Sequence, residues 1–450
     1  MSGQQRGEGF AYWLLAALAA LAVSNAAAAG LTLRECVTEA LQANPQGLAA
    51  LHRLDAARAA IREAESAYYP QVLLSGSYTR TDNAGQALFM SLNQRRLDMT
   101  GDLNRPGDTG NLRLSVGAQL PVFDGGRRGL ERAMAVDGAE AAKAGAAAVR
   151  NELVYQVTRA YYGVLEAQAF VLVQQESVLS LAENLRVASE RLRAGSAVKT
   201  DVLNLQVQLA QAQEDFLRAS NAVQLARAAL TTVVGHPLAG EPEPAAADPA
   251  TLPPPPAVSG DESVEQRPEL DAAIAARRIG ETGRQRAACE YWPTVNAFGS
   301  YDWDSEQADD FEHSYLVGVN AQWPLFNGFR RHSALAGARA RAEAAAAEET
   351  QARNNLQLDL TRAALELRSA WDRLGVTRQS MESADEALRI TRERYQSGAA
   401  DLSALLTAQT GLTGMRTRKT AALYDYLIAL ANVARAEGTL ESDYAPGTGH

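Results

Sequence analysis

The sequence predicts a mainly helical chain with a membrane β part, built as two tandem repeats of helix, β-hairpin, long helix and helix. Three observations carry this. The chain repeats its own landmarks at fixed intervals, four short segments alternate with strand period, and two stretches of nearly seventy residues run without proline on a heptad pattern.

Composition narrows the function classes before any element is placed. The 450 residues are 46% hydrophobic and 21% charged, with a formal net charge of -10. That sign argues against nucleic acid as a partner, because phosphate contacts need an excess of Lys and Arg. About a fifth of the residues are alanine, which favours long helices. His52, His236, His313, His332 and His450 show no paired ligand spacing, and no P-loop, zincin or nucleophile-elbow motif occurs. No enzyme activity, cofactor or metal is expected.

Residues 1–29 read as a secretory signal, with Arg6 in a polar start, an apolar run from Phe10 to Val23 and small residues from Ser24 to Ala29. That run of 14 is short of the about 20 residues a membrane-spanning helix needs. Gly30 and Leu31 stand where a lipid-anchored protein would carry cysteine, so no lipid anchor is expected. Cys36 and Cys289 read as two separate buried thiols, about 30 Å or more apart at helical rise.

The repeat follows from spacing. Asn44-Pro45 and Arg267-Pro268 each open a helix-like stretch that closes 25 residues later, at Tyr68-Tyr69-Pro70 and Tyr291-Trp292-Pro293. Pro121 to Gly195 and Pro324 to Gly398 are both 74 residues, and Gly195 to Gly235 and Gly398 to Gly438 are both 40. Only the interval between Pro70 and Pro121 exceeds its counterpart, 51 against 31, so the loop 83–110 is longer by 20. The expected organisation is a first repeat over 30–234, a Pro-rich linker over 235–261, a second repeat over 262–440 and a disordered tail over 441–450.

Strands are expected at about 71–82, 111–121, 294–303 and 314–323. Each has one apolar and one mostly polar face, with Tyr78, Tyr301, Trp303, Tyr315 and Trp323 on the apolar side. That is the pattern of an outer-membrane barrel strand with an aromatic girdle; the alternative is a half-buried soluble hairpin. Four strands cannot close a barrel, so a membrane reading demands more than one chain. In the tips, Asp302, Asp304 and Glu306 mimic the start of a calcium loop. Its glycine and final glutamate are missing, so a solvated tip is expected. Arg95, Arg96 and Arg105 are expected to face the outside, toward lipopolysaccharide or solvent.

Gly126 to Arg193 and Phe329 to Ser397 would each span roughly 100 Å as helices. Val157, Val164, Val171, Val178, Leu185 and Leu192 recur every seven residues; Leu360, Leu367, Leu374, Met381, Leu388 and Tyr395 repeat them 203 residues later. Gly195 and Gly398 mark the turns into the return helices. Asp201 and Asp401 follow those turns, and capping is the competing reading for each.

The set resembles the TolC-type outer-membrane factors (the outer membrane efflux protein family). It comprises Leu31-Thr32-Leu33-Arg34-Glu35, Asn44-Pro45, Pro121-Val122-Phe123-Asp124-Gly125-Gly126, Pro324-Leu325-Phe326-Asn327-Gly328, Arg191 to Gly195, and Arg394 to Gly398, in order and twice over. The resemblance implies a homotrimer, with a 12-stranded barrel continuous with a 12-helix periplasmic coiled-coil tunnel. It implies an exit duct of a tripartite efflux pump or type I secretion system, in the outer membrane of a Gram-negative bacterium. A periplasmic adaptor protein and an inner-membrane RND or ABC transporter would open its periplasmic tip. Carried over by position, the tip residues are Thr200, Asp201 and Tyr395, with Asp401 close by where Ala404 and Thr407 replace acidic residues. The alternative is an exported coiled-coil scaffold or adhesin with soluble hairpins, which would need no detergent for extraction.

Overall fold

A computed structural model describes residues 31–440, apart from 101, 197, 239, 241, 243–251, 253 and 257–259. The expected signal, the tail and most of the Pro-rich linker lie outside the described residues. The elements in order are α1 (Leu33–Ala43), α2 (Pro45–Ser66), β1 (Gln71–Thr81), α3 (Ala84–Asn93), β2 (Thr109–Phe123), α4 (Arg127–Arg193) and α5 (Lys199–Val234). They continue with α6 (Asp261–Val264), α7 (Pro268–Cys289), β3 (Thr294–Ser305), β4 (Glu312–Gln322), α8 (Arg330–Gln396) and α9 (Leu402–Glu437). The chain divides into two compact units, one holding the residues up to His52, Ala144–Leu270 and those from Ala352, the other Arg53–Lys143 and Asp271–Gln351.

The second unit carries one antiparallel sheet in the order β1-β2-β3-β4. Its register fixes which side chains share a face. Leu74, Val116, Tyr301 and Tyr315 lie in one row, and Ser75, Ser115, Asp302 and Ser314 in the next. The four apolar faces read from the sequence therefore fall on one side of the sheet, because side chains alternate with period two. β2 starts two residues earlier than expected and β3 ends two later, and the long loop contains α3.

Each strand-to-helix elbow uses the same arginine. Arg128 donates to the Ala67 and Val122 carbonyls and lies 5.0 Å over the Tyr68 ring. Arg331 donates to Glu290 and Leu325 and lies 5.0 Å over Tyr291. Asp124, 8% exposed, accepts from the Gly126 and Arg128 amides and from Arg128 Nε. A Cβ on Gly125, whose φ is +70°, would meet Trp292 Cβ at 2.8 Å and the Cys289 carbonyl at 3.1 Å. Gly125→Ala should therefore cost about 2 kcal/mol or more, from left-handed strain plus a backbone clash. A thermal melt unchanged within a degree or two would contradict this packing.

In the first unit, Asn44 caps α2, its Oδ1 accepting from Gln46 and Gly47, while Nδ2 donates to the Val233 carbonyl at 2.6 Å. Its counterpart Arg267 donates to the Ala436 carbonyl at 2.7 Å, the position equivalent to Val233 in the second repeat. Two different side chains thus tie the start of a short helix to the end of a return helix.

The heptad expectation holds along α8, where Leu360, Leu367, Leu374, Leu388 and Tyr395 are buried. Along α4 it holds through Val157 and Val164. The buried positions then pass to Ser177, Leu181, Asn184 and Ala188, with Val178 and Leu185 at the edge of the cluster. A 3.6-residue turn drifts against a seven-residue repeat in this way. Both cysteines are free, but only Cys36 is buried; Cys289 is half-buried, because it closes α7 at the elbow rather than inside a helix bundle. Burial pushes the Cys36 thiol up to about 12, so it behaves as a small hydrophobe.

Candidate functional site

The tip residues converge in the first unit. Gly195 and Gly398 hold φ of +75° and +78° and end α4 and α8. Ser196 and Ala399 donate to the Arg191 and Arg394 carbonyls at 2.9 and 2.8 Å, the bonding of a left-handed helix stop. Asp401 is an N-cap, its Oδ1 accepting from the Ala404 amide at 2.9 Å. Asp201 is not a cap. The residue before α5 is Val198, without a side-chain cap bond, and Asp201 sits in the first turn, half-buried. The capping reading thus holds for Asp401 and fails for Asp201, because α5 begins two residues ahead of it. Thr200 beside it is exposed.

Tyr395 is buried in a cluster with Leu181, Ala188, Leu205 and Leu405. Burial raises its phenol above the ordinary range, and the Asp201 carboxylate adds to this. Arg191 joins the two repeats. Its guanidinium lies 5.2 Å over the Tyr395 ring and donates to the Tyr395 and Gln396 carbonyls at 3.0 and 2.5 Å. Both carbonyls lie in the last turn of α8, where a cation also meets the negative end of the helix dipole; the Tyr395 carbonyl accepts the Gly398 amide as well, at 3.2 Å. The sequence marked Arg191 as part of a repeated motif but gave it no role. Its only signal was the recurrence of arginine at Arg394, 203 residues on.

On the sheet, Tyr78, Tyr301, Trp303 and Tyr315 lie toward the hairpin ends of the apolar face. Tyr78 and Tyr315 are well exposed, while Trp303 is half-buried against Tyr301, ring centroids 4.7 Å apart. Trp323 stands one residue past β4 at the other end, its indole donating to the Tyr291 carbonyl at 3.1 Å. Around it the elbows expose Tyr69, Trp292, Phe326 and Phe329, together with Leu325, a second band of aromatics outside the strands themselves. Eleven residues of β1 at about 3.3 Å, tilted near 40°, match an apolar band of about 25 Å.

Among the described residues, Glu166 on α4 is the one helix carboxyl with a large displacement, raised from 4.5 to about 7 by burial and then by Asp425 on α9. Asp425 is itself paired with Arg373 at 3.1 Å, and the Glu166 charge in turn raises the Tyr424 phenol. A carboxyl raised in the folded state stabilises below its unfolded value near 4.5 and loses that contribution as pH passes about 7. Glu166→Gln should therefore raise stability at pH 8 by about 1 kcal/mol, discounted for partial exposure, and change little at pH 4. Melts of both proteins at the two pH values check this; an equal shift at both would contradict it.

The family described as Outer membrane efflux protein matches residues 36–236 and 260–439. Protein CyaE of Bordetella pertussis is 29% identical over 86% of this chain and 80% of its own length. Outer membrane protein TolC of Vibrio cholerae is 23% identical over 94% of each chain. Among solved structures, the Campylobacter jejuni CmeC outer membrane channel superposes with a TM-score of 0.80 at 15% identity, covering 91% of this chain and 86% of its own.

Proposed function

We propose, from the premise that the chain belongs to the outer membrane efflux protein family, that it is the outer-membrane exit duct of a tripartite efflux pump or a type I secretion system. The observation that carries this is the sheet register. It gathers the apolar residues of four strands on one side, with aromatics at both ends, and leaves β1 and β4 as open edges. An open edge in lipid strands its amide and carbonyl groups, so each edge must pair with another chain. A homotrimer closes a 12-stranded barrel in this way.

In this reading the Asp201, Tyr395 and Arg191 constellation is the periplasmic gate. Three copies of Asp201 around one axis favour cations in the pore. Tyr395 and Arg191 hold the ends of α8 and α4 together until a periplasmic adaptor and an inner-membrane RND or ABC transporter engage. Thr200 lies on the exposed side of the same turn, and Asp401 acts as a cap. The chain is expected to form a cation-selective pore of low conductance in planar bilayers. Asp201→Ala should weaken block by divalent cations with little change in stability, since Asp201 caps no helix. Unchanged block and selectivity would remove Asp201 from the gate.

A further inference from the structure

Deepening the duct reading on which it rests, we propose a second constriction at the outer mouth. It is formed by α3 folded onto the lumen-facing side of the sheet and meeting its copies from neighbouring chains. The Asp304 tip was expected to be solvated. Instead Asp304 is 1% exposed. Its carboxylate accepts from Asn111 Nδ2 at 2.5 Å and from Arg113 Nε and Nη2 at 2.8 and 3.2 Å. Gln94, at the end of α3 and 5% exposed, donates to Asn111 Oδ1 at 2.8 Å and to the Gly110 carbonyl at 2.9 Å. Arg95 and Arg96 pair with Glu312 and Glu306 at 3.1 and 2.5 Å.

Asn111, Arg113, Asp304 and Glu312 all belong to the polar side of the sheet, opposite the rows holding Tyr301 and Tyr315. The helix therefore crosses β2 toward β4 on the side that faces water in the barrel. A buried carboxylate with three donors is a staple that is costly to break. The helix leaves Phe89 and Leu92 at 67% and 46% exposure, and Met99 in the loop after it at 72%. The helix packs against β4 as well as β2, and Arg95 just past it pairs with Glu312 of β4; β4 is the edge strand that needs the next chain, so the occupant of these apolar groups is the same segment of a second copy. An apolar ring in a water-filled mouth narrows it and gates by dewetting.

The test uses the full chain in outer membranes, with Cys36 and Cys289 replaced by serine and Ser115→Cys or Val116→Cys added as reporters. Ser115 lies on the polar side and Val116 on the apolar side. A bulky polyethylene-glycol maleimide applied from outside should label the Ser115 reporter slowly. Asp304→Asn, or excision of 84–105, should speed this about tenfold or more, the change given by loss of one charge-assisted hydrogen bond. A small maleimide should label it in every variant. Phe89→Cys should form a disulfide between chains under mild oxidant.

Equal labelling rates with and without 84–105 would overturn the constriction while leaving the duct intact. So would a Phe89 reporter that reacts only with lipid-soluble reagents, which would place α3 against the membrane. Labelling of the Val116 reporter by water-soluble reagent in intact membranes would overturn the duct reading itself, and this inference with it.

Discussion

Arg191→Ala is expected to raise the open population of the periplasmic tip about tenfold to a hundredfold. The guanidinium donates to two carbonyls at the end of α8 and covers the Tyr395 ring. Both bonds are partly open to water, so the pair together contributes about 1.4–2.8 kcal/mol, and each 1.4 kcal/mol is a tenfold change in a two-state equilibrium. Alanine leaves both carbonyls without that donor and frees the end of α4. Single-channel recording in planar bilayers should show a higher mean conductance, and Arg191→Lys should restore little, since a single ammonium cannot reproduce the planar fork. Tyr395→Ala should act in the same direction. Wild-type conductance in Arg191→Ala would show that the bond is structural and that the tip is held elsewhere.

Arg267→Ala should be the most destabilising single substitution, about 3 kcal/mol or more, because it empties a fully buried site and removes the donor to the Ala436 carbonyl and to the half-buried Glu269. Arg267 is 1% exposed and bonds Glu269 through Nε and Nη2 at 2.9 and 2.8 Å, with Asp359 at 3.5 Å and the Ala436 carbonyl at 2.7 Å. Chemical denaturation should give a lower midpoint with an unchanged slope. Asn44→Ala, the equivalent change in the first repeat, should cost about 1–2 kcal/mol, since it removes a neutral cap and one bond. Equal effects at the two sites would contradict the charge argument.

The contrast between these two residues shows what the sequence could carry. Landmarks that act through their own backbone, such as Gly195, Gly398 and the prolines before each helix, repeat as identical letters, and their spacing laid out the elements. Asn44 and Arg267 do one job with different chemistry, so letter matching saw a shared position but no shared bond. Arg191 was visible as a repeated letter. Its function lies in carbonyls 204 and 205 residues away, and no local period encodes that. The helix α3 escaped because ten residues leave too few turns for a periodic signal. Asp304 looked solvated because the strand was expected to end at 303, leaving it in a hairpin tip; β3 runs on to Ser305, and the α3 segment folded over its polar face buries it. For Asp201 the sequence left capping and a place in the gate open, because a turn glycine followed by Asp is a common start signal; capping drops out because the helix begins earlier, at Lys199.

The central claim is that the four-stranded sheet is one part of a lipid-embedded barrel shared between chains. Light scattering on detergent-extracted protein, corrected for bound detergent, tests it most directly. A lipid-embedded shared barrel gives a monodisperse trimer that leaves the membrane fraction only with detergent. A monodisperse monomer in micelles, or protein released from membranes by salt or alkali alone, would contradict it.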